Sequence, residues 1–305
     1  MSLFGLRSIF MTAIAACLCQ AVSATDVPRR EALREELHQL LRPYRARVGI
    51  ALCTDTGDTL TVNGAGAYPV MSVFKAPVAM AVLKRMEQKG VKLNQLVPMQ
   101  QHDFKTGTYS PMRQRYAANT AQLPLDTLLY YSVSLSDNNA CDRLIAYAGG
   151  IDKVQSLVRK MHVNGWTLKA TEDDMHRGTL RQADNTGTPL GVATLFHRIV
   201  KEPWIKTYYK DYLLRLLELS PTGADKLRAG LPQGVVMGHK TGSSDRLPDG
   251  RKLGDNDAGY VYLPNGGFYT LAVLVTDSYE DDATNAKLIA SVSRLIYGRM
   301  SAQNQ

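Results

Sequence analysis

The sequence predicts an α+β fold: an antiparallel sheet packed by helices from both chain ends, beside an all-helical domain. Strand-like text occupies both ends of the 305-residue chain and little of its middle. Each end also carries an amphipathic helix, and the run from Met71 to about Leu213 reads as helix with irregular interruptions. A sheet assembled from both ends, with the helical insert beside it, satisfies that order.

Leu33, Leu37, Leu40 and Leu41 recur at helical spacing and predict a helix over 27–41. RVGIALCTD (47–55) predicts a strand, and Thr56-Gly57-Asp58 turns it into a second one, TLTVN (59–63). The clearest middle helices are 74–88, 125–133, 138–148 and 190–201. Strands return as GVVMGHK (234–240), AGYVYL (258–263) and FYTLAVLVT (268–276), the last two joined by the hairpin signal Pro264-Asn265-Gly266-Gly267. Asp281 and Asp282 open a final helix with Leu288, Ile289, Val292 and Ile296 facing inward. The predicted organisation is 25–68 with 214–305 as the sheet domain and 69–213 as the helical domain.

Residues 1–24 read as an export signal: Arg7, an apolar run from Ile9 to Cys19, then the small residues Val22-Ser23-Ala24. The apolar run is too short to span a bilayer, and no later stretch is long and apolar enough. The expected location is therefore the periplasm, with lipid attachment at Cys17 as the alternative. The formal charge of +8 falls to about +7 once Arg7 is removed. Its basic residues are scattered without interleaved aromatics, which argues against nucleic acid and suits small anions. Of four cysteines, only Cys53 and Cys141 lie beyond the signal, and they read as two buried thiols.

Three motifs hold candidate chemistry. Ser72 and Lys75 in MSVFKAPVAM stand three apart at a helix start, which puts hydroxyl and ammonium on one face. A serine hydroxyl is a poor nucleophile until a neighbour takes its proton, and a lysine of lowered pKa can do so. The same letters also fit a capping serine beside a solvated lysine. In SLSDNNACDRL, Ser136 would relay a proton and Asn138 would orient a lysine or hold a substrate amide; a plain helix cap is the other reading. KTG occurs twice. Lys240-Thr241-Gly242 ends an apolar strand, whose edge would project the lysine and threonine, while Gly242 would let a substrate backbone approach. Lys105-Thr106-Gly107 stands in irregular text and reads as a loop.

S-x-x-K, S-D-N and K-T-G in this order resemble the set shared by class A β-lactamases and penicillin-binding proteins, and the chain resembles a class A β-lactamase over essentially its whole mature length. The resemblance implies Ser72 as nucleophile, with Lys75 and Ser136 in proton transfer. It implies Asn138, Lys240 and Thr241 as substrate contacts, and the backbone N–H groups of Ser72 and Ser243 around the oxyanion. It also implies a deacylating glutamate on an omega-shaped loop at about 166–189. Glu172 in KATEDDMHRGTLRQADNTGTP is the choice, with Asp173 and Asp174 as rivals. His176 stands where an asparagine commonly helps hold the water, and Ala170 and Asn185 where many members have an ion pair. T-E-x-x-M-H, H-K-T-G and Asn256-Asp257 are similar to PER-type and Bacteroides-type enzymes. Tyr109 resembles the aromatic that walls the entrance. Lys226 holds the position of a cation for the substrate carboxylate, with Arg228 as an alternative; a lysine there offers a point charge rather than a two-pronged grip.

The expected function is hydrolysis of small-molecule β-lactams by a monomer, without cofactor or metal, because the six histidines show no paired zinc spacing. A D,D-peptidase or a β-lactam-sensing domain that acylates without turnover is the alternative.

Overall fold

The computed structural model describes residues 26–118 and 122–302; the predicted export segment 1–24 and Cys17 lie outside the described residues. The order begins α1 (Asp26–Leu41), β1 (Arg47–Thr54), β2 (Thr59–Val62), β3 (Tyr68–Pro69), α2 (Lys75–Lys89), β4 (Leu96–Pro98), α3 (Pro111–Tyr116), β5 (Gln122–Pro124), α4 (Leu125–Val133) and α5 (Asn138–Ala148). It continues α6 (Ile151–Lys160), β6 (Trp166–Thr167), α7 (Glu172–Met175), β7 (Thr186–Gly187), α8 (Pro189–Lys201), α9 (Thr207–Glu218), β8 (Met237–Ser243), β9 (Asp255–Tyr262), β10 (Phe268–Thr276) and α10 (Asp282–Ala302).

The main sheet is antiparallel, in the order β2-β1-β10-β9-β8. Arg47 faces Thr276 and Thr54 faces Tyr269, so the two chain ends share its centre, as predicted. Alternate residues feed two cores. Ile50, Leu52, Leu271 and Val273 meet Leu37 of α1 and Leu288, Ile289 and Val292 of α10 on one face. Ala51, Cys53, Ala272 and Leu274 meet the helical layer on the other. A one-residue slip of β1 would exchange these sets, which pins the register. The sheet's inner face and the helices share one contiguous core, to which α8 contributes Val192, Leu195 and Phe196 against β1 and β10.

Helix α2 is buried nearly all round, from Ala76 through Leu83, because it lies in the middle of the helical layer. Its first turn therefore emerges between α5 and the sheet edge β8. Cys53 and Cys141 are free and buried, as expected, and burial pushes the Cys53 thiol up to about 11. No helix among the described residues is long and apolar enough to cross a membrane.

Two strands differ from the sequence reading. β8 covers Met237–Ser243 rather than 234–240, so Lys240-Thr241-Gly242 lies inside the strand instead of at its end. β9 begins at Asp255, three residues early, and its ladder carries β8 on to Ser243. Asp255, Asn256 and Asp257 look like loop by hydropathy, yet each is buried with fixed partners. Asn256 Nδ2 donates to the Pro69 carbonyl at 2.8 Å, and Asp257 accepts from Leu227 N–H at 3.1 Å while facing His239 Nδ1 at 2.9 Å.

Candidate active site

Ser72 sits in the 3-10 turn Met71–Phe74 that leads into α2. Met71 has φ +49°, a left-handed conformation costing a non-glycine residue about 1–3 kcal/mol. The strand beside it holds that turn in place. A Cβ on Gly242 would lie 2.7 Å from the Val70 carbonyl and 2.9 Å from Ser72 N, so only glycine lets β8 run this close to the nucleophile turn. Gly242 thus makes room for the protein's own backbone. The approach also brings the main chains of Ser72 and Ser243 side by side.

Lys75 is fully buried, and its Nζ is the hub of the site. It lies 2.9 Å from Ser72 Oγ, 2.7 Å from the Ser136 carbonyl and 2.6 Å from Asn138 Oδ1. A fourth oxygen, Glu172 Oε1, is 2.8 Å away, too poorly directed for a hydrogen bond and thus an ion-pair contact. Three motifs distant in sequence therefore meet on one nitrogen.

Ser136 also has a left-handed backbone, φ +59°. Its Oγ accepts from Lys240 Nζ at 2.9 Å, and Lys240 also donates to the Thr241 carbonyl at 2.9 Å. Burial first, and then the Lys75 charge, hold the Lys240 ammonium well below the usual lysine range. Thr241 Oγ1 pairs with Thr222 Oγ1 at 2.9 Å. Asp137 caps α5 through Ala140 N–H and also accepts from Ser110 Oγ and Met112 N–H. One carboxylate thus fastens the Tyr109 loop to the helix that bears Asn138.

The omega loop is closed by a neutral residue. Asn185 Oδ1 accepts from the N–H groups of Lys169 and Ala170 at 2.9 and 3.0 Å, and its Nδ2 donates to the Ala170 carbonyl at 2.8 Å. A buried amide thereby does what an ion pair with residue 170 would do. The Asp142 carboxylate of α5 accepts from Glu172 N–H at 2.7 Å and Asp173 N–H at 2.9 Å, fixing the start of α7. Asp173 faces Lys105 and Arg177, and Asp174 closes a capping box with Thr171, so neither rival reaches Lys75. Lys105, read from sequence as plain loop, tethers the omega loop at 2.7 Å, although an exposed pair of this kind is worth at most about 1 kcal/mol.

Burial first, and the Glu172 charge second, push the Asp142 carboxyl up to about 6. A folded-state value above the unfolded 3.8 means that the folded protein takes up this proton as pH falls through 6. Stability from this group therefore rises as pH drops from 7.5 towards 5. Wild-type protein should gain on the order of 1 kcal/mol over Asp142→Asn across that range. Thermal melts of both proteins at several pH values test this; a constant gap between them would refute it.

His176 ends α7, with Nδ1 2.7 Å from the Glu172 carbonyl and Nε2 3.1 Å from Thr108 Oγ1. Asn138 Nδ2 donates to the same hydroxyl at 2.7 Å, so His176 ties the omega loop to the opposite wall. Tyr109 stands 58 % exposed on that wall, lining a cleft of about 360 Å³ with Ser72, Asn138, Glu172, His176 and Ser243. Lys226 is paired within the protein. Its ammonium is held by the buried Asp255 at 2.5 Å, so a substrate carboxylate would have to displace that pairing. Arg228 is no substitute, because its guanidinium donates to the carbonyls of Val235 and Met237. The sequence reading missed Arg113, a half-buried cleft residue whose guanidinium has no carboxylate partner among the described residues. It also missed Gln182, which lines the cleft. An arginine or glutamine in loop text carries no periodic signal that would single it out.

A buried serine–lysine pair, a second serine–lysine pair and a carboxylate converging on one cleft define a serine acyl-transfer site. The family comparison agrees. The beta-lactamase enzyme family model matches residues 32–300, and the chain belongs to that family. A beta-lactamase of Bacteroides uniformis is 40 % identical over 93 % of this chain and 95 % of its own. The extended-spectrum beta-lactamase PER-1 of Pseudomonas aeruginosa is 31 % identical over 87 % and 86 %. The crystal structure of a class A beta-lactamase from Bacteroides cellulosilyticus superposes with a TM-score of 0.87 at 40 % identity, covering 90 % of this chain and 98 % of that one.

Proposed function

We propose that the protein hydrolyses β-lactams through an ester on Ser72, with Glu172 driving deacylation. The observation that carries this reading is the single Lys75 nitrogen touching both Ser72 Oγ and Glu172 Oε1. Ser136 O and Asn138 Oδ1 can only accept, and Ser72 Oγ takes the third bond, so the three N–H bonds of a Lys75 ammonium all find acceptors, with Glu172 as its ion-pair contact. Lys75 then serves as donor and positive charge, and Glu172, through one water, is the base that takes the Ser72 proton.

Ser72 Oγ attacks the lactam carbonyl carbon, and the oxyanion forms against the N–H groups of Ser72 and Ser243. As the C–N bond breaks, Ser136, held by Lys240, passes a proton to the departing nitrogen and is resupplied with the proton that Glu172 took from Ser72, relayed through Lys75, so Glu172 is a carboxylate again. Glu172 then takes a proton from water as that water attacks the ester, and the proton passes on to the departing Ser72 Oγ. Thr241 and Lys240, with Arg113 at the opposite wall, hold the substrate's anionic groups. Asn138 accepts from Lys75 and donates to Thr108, so it positions rather than reacts. Export to the periplasm and a monomeric state belong to the same proposal.

Excess nitrocefin mixed with purified protein tests the reading. Sustained turnover is expected. One stoichiometric burst without turnover would make the protein a peptidase-like or drug-sensing acylated receptor.

A further inference from the structure

One cation on the cleft wall has no counter-ion. Four carboxylates stand on or beside the same walls, and each is committed elsewhere. Glu172 faces Lys75 at 2.8 Å. Asp173 is held by Lys105 and Arg177. Asp245 accepts from Gln182 Nε2 at 2.8 Å. Asp137 accepts from Ser110 Oγ and from the N–H groups of Met112 and Ala140. The Arg113 guanidinium is thus left without a partner among the described residues, although it is half-buried and lines the cleft with Tyr109 and Asn138.

The backbone under this side chain is fixed. Arg113 N–H donates to Ser110 Oγ at 3.1 Å, and that hydroxyl donates to the buried Asp137 carboxylate. A half-buried guanidinium has lost part of its water shell, and an arriving anion restores what the protein does not supply. Its planar fork matches the two oxygens of a carboxylate. Asp245 lines the same cleft with only a neutral amide on its carboxylate, so an acidic substituent is repelled there and drawn to the α3 wall.

We propose that Arg113 binds a second carboxylate, carried on the acyl side chain of a dianionic penicillin, while Lys240 and Thr241 hold the carboxylate of the ring system. This rests on the β-lactam reading above. Arg115 gives the contrast: two residues further on, it is exposed, lies over the Tyr116 ring and takes no part in the cleft lining.

The experiment compares carbenicillin with benzylpenicillin, which share a nucleus and a phenyl ring and differ by one carboxylate on the side-chain carbon. The quantity measured is the second-order rate constant for ester formation on Ser72, followed by rapid-quench intact mass. Arg113→Gln should lower the carbenicillin-to-benzylpenicillin ratio about tenfold, the scale of one charge-assisted, two-pronged contact. Arg113→Lys should fall between, because a point charge replaces the fork. Raising ionic strength should lower the ratio in the wild type and leave it flat in Arg113→Gln. Arg115→Gln should leave the ratio as it is. An unchanged ratio in Arg113→Gln would overturn the proposal, as would an equal fall in Arg115→Gln, which would mark a general surface field. Absence of any ester with either penicillin in the wild type is a different result: it would end the β-lactam reading itself, and this proposal with it.

Discussion

Glu172→Ala leaves the drug on the protein. Mixed with a slow cephalosporin, the variant should show intact mass increased by one ring-opened lactam, persisting for minutes where the wild type clears within the mixing time. General-base catalysis contributes about 10²–10⁴-fold, so deacylation should slow by roughly 10³. Acylation also loses its base, but Lys75 remains 2.9 Å from Ser72 Oγ as a second acceptor for its proton, so the second step suffers more. Ser72 Oγ keeps its Lys75 contact, Lys75 keeps Ser136 and Asn138, and the oxyanion donors are backbone groups untouched by the substitution. Normal turnover in this variant would place the base elsewhere. Asp173 and Asp174 are poor replacements, since Lys105 and the Thr171 capping box respectively hold their carboxyls below the ordinary range.

Lys75→Ala should be costly twice over. It removes the charge that faces the buried Glu172 carboxylate, and truncating one partner of a buried ion pair costs about 3–5 kcal/mol. It also removes the donor that orients Ser72 Oγ and Asn138 Oδ1, so acylation should slow by about 10²–10⁴-fold. Two readouts are expected to separate: the thermal midpoint and the burst rate with nitrocefin. The double variant Lys75→Ala/Glu172→Ala should recover much of the lost stability, because no unpaired charge remains, yet stay slow in acylation. If the double variant is as unstable as Lys75→Ala alone, the ion pair is not the source of the stability loss.

Much of this molecule was legible in its text. Helices 125–133 and 138–148 and strand 268–276 have the predicted bounds, because each carries a clear period and ends at turn or cap chemistry. Ser72, Lys75, Ser136, Asn138, Lys240 and Glu172 were each ambiguous alone and legible as an ordered set, and the structure joins all six in one network of hydrogen bonds and an ion pair at the cleft. The errors have a common origin. Asp255, Asn256 and Asp257 were read as loop because hydropathy cannot see that a polar side chain will be buried with a partner. The pairing of Lys226 with Asp255 has no signal in the text, because Asp255 is 29 residues away and joins it only across the finished sheet.

By itself, the sequence determined the elements, their α+β assembly and the ordered motifs, because these depend on periodicity, turn chemistry and residue type along the chain. Tertiary structure decided which charges are free and which are held: Lys75 shared among four oxygens, Lys226 tied to Asp255, Asn185 standing in for an ion pair, Gln182 clasped to Asp245. These pairings join residues from 3 to 97 positions apart, and their strength depends on distance and burial. Neither quantity exists until the chain has packed.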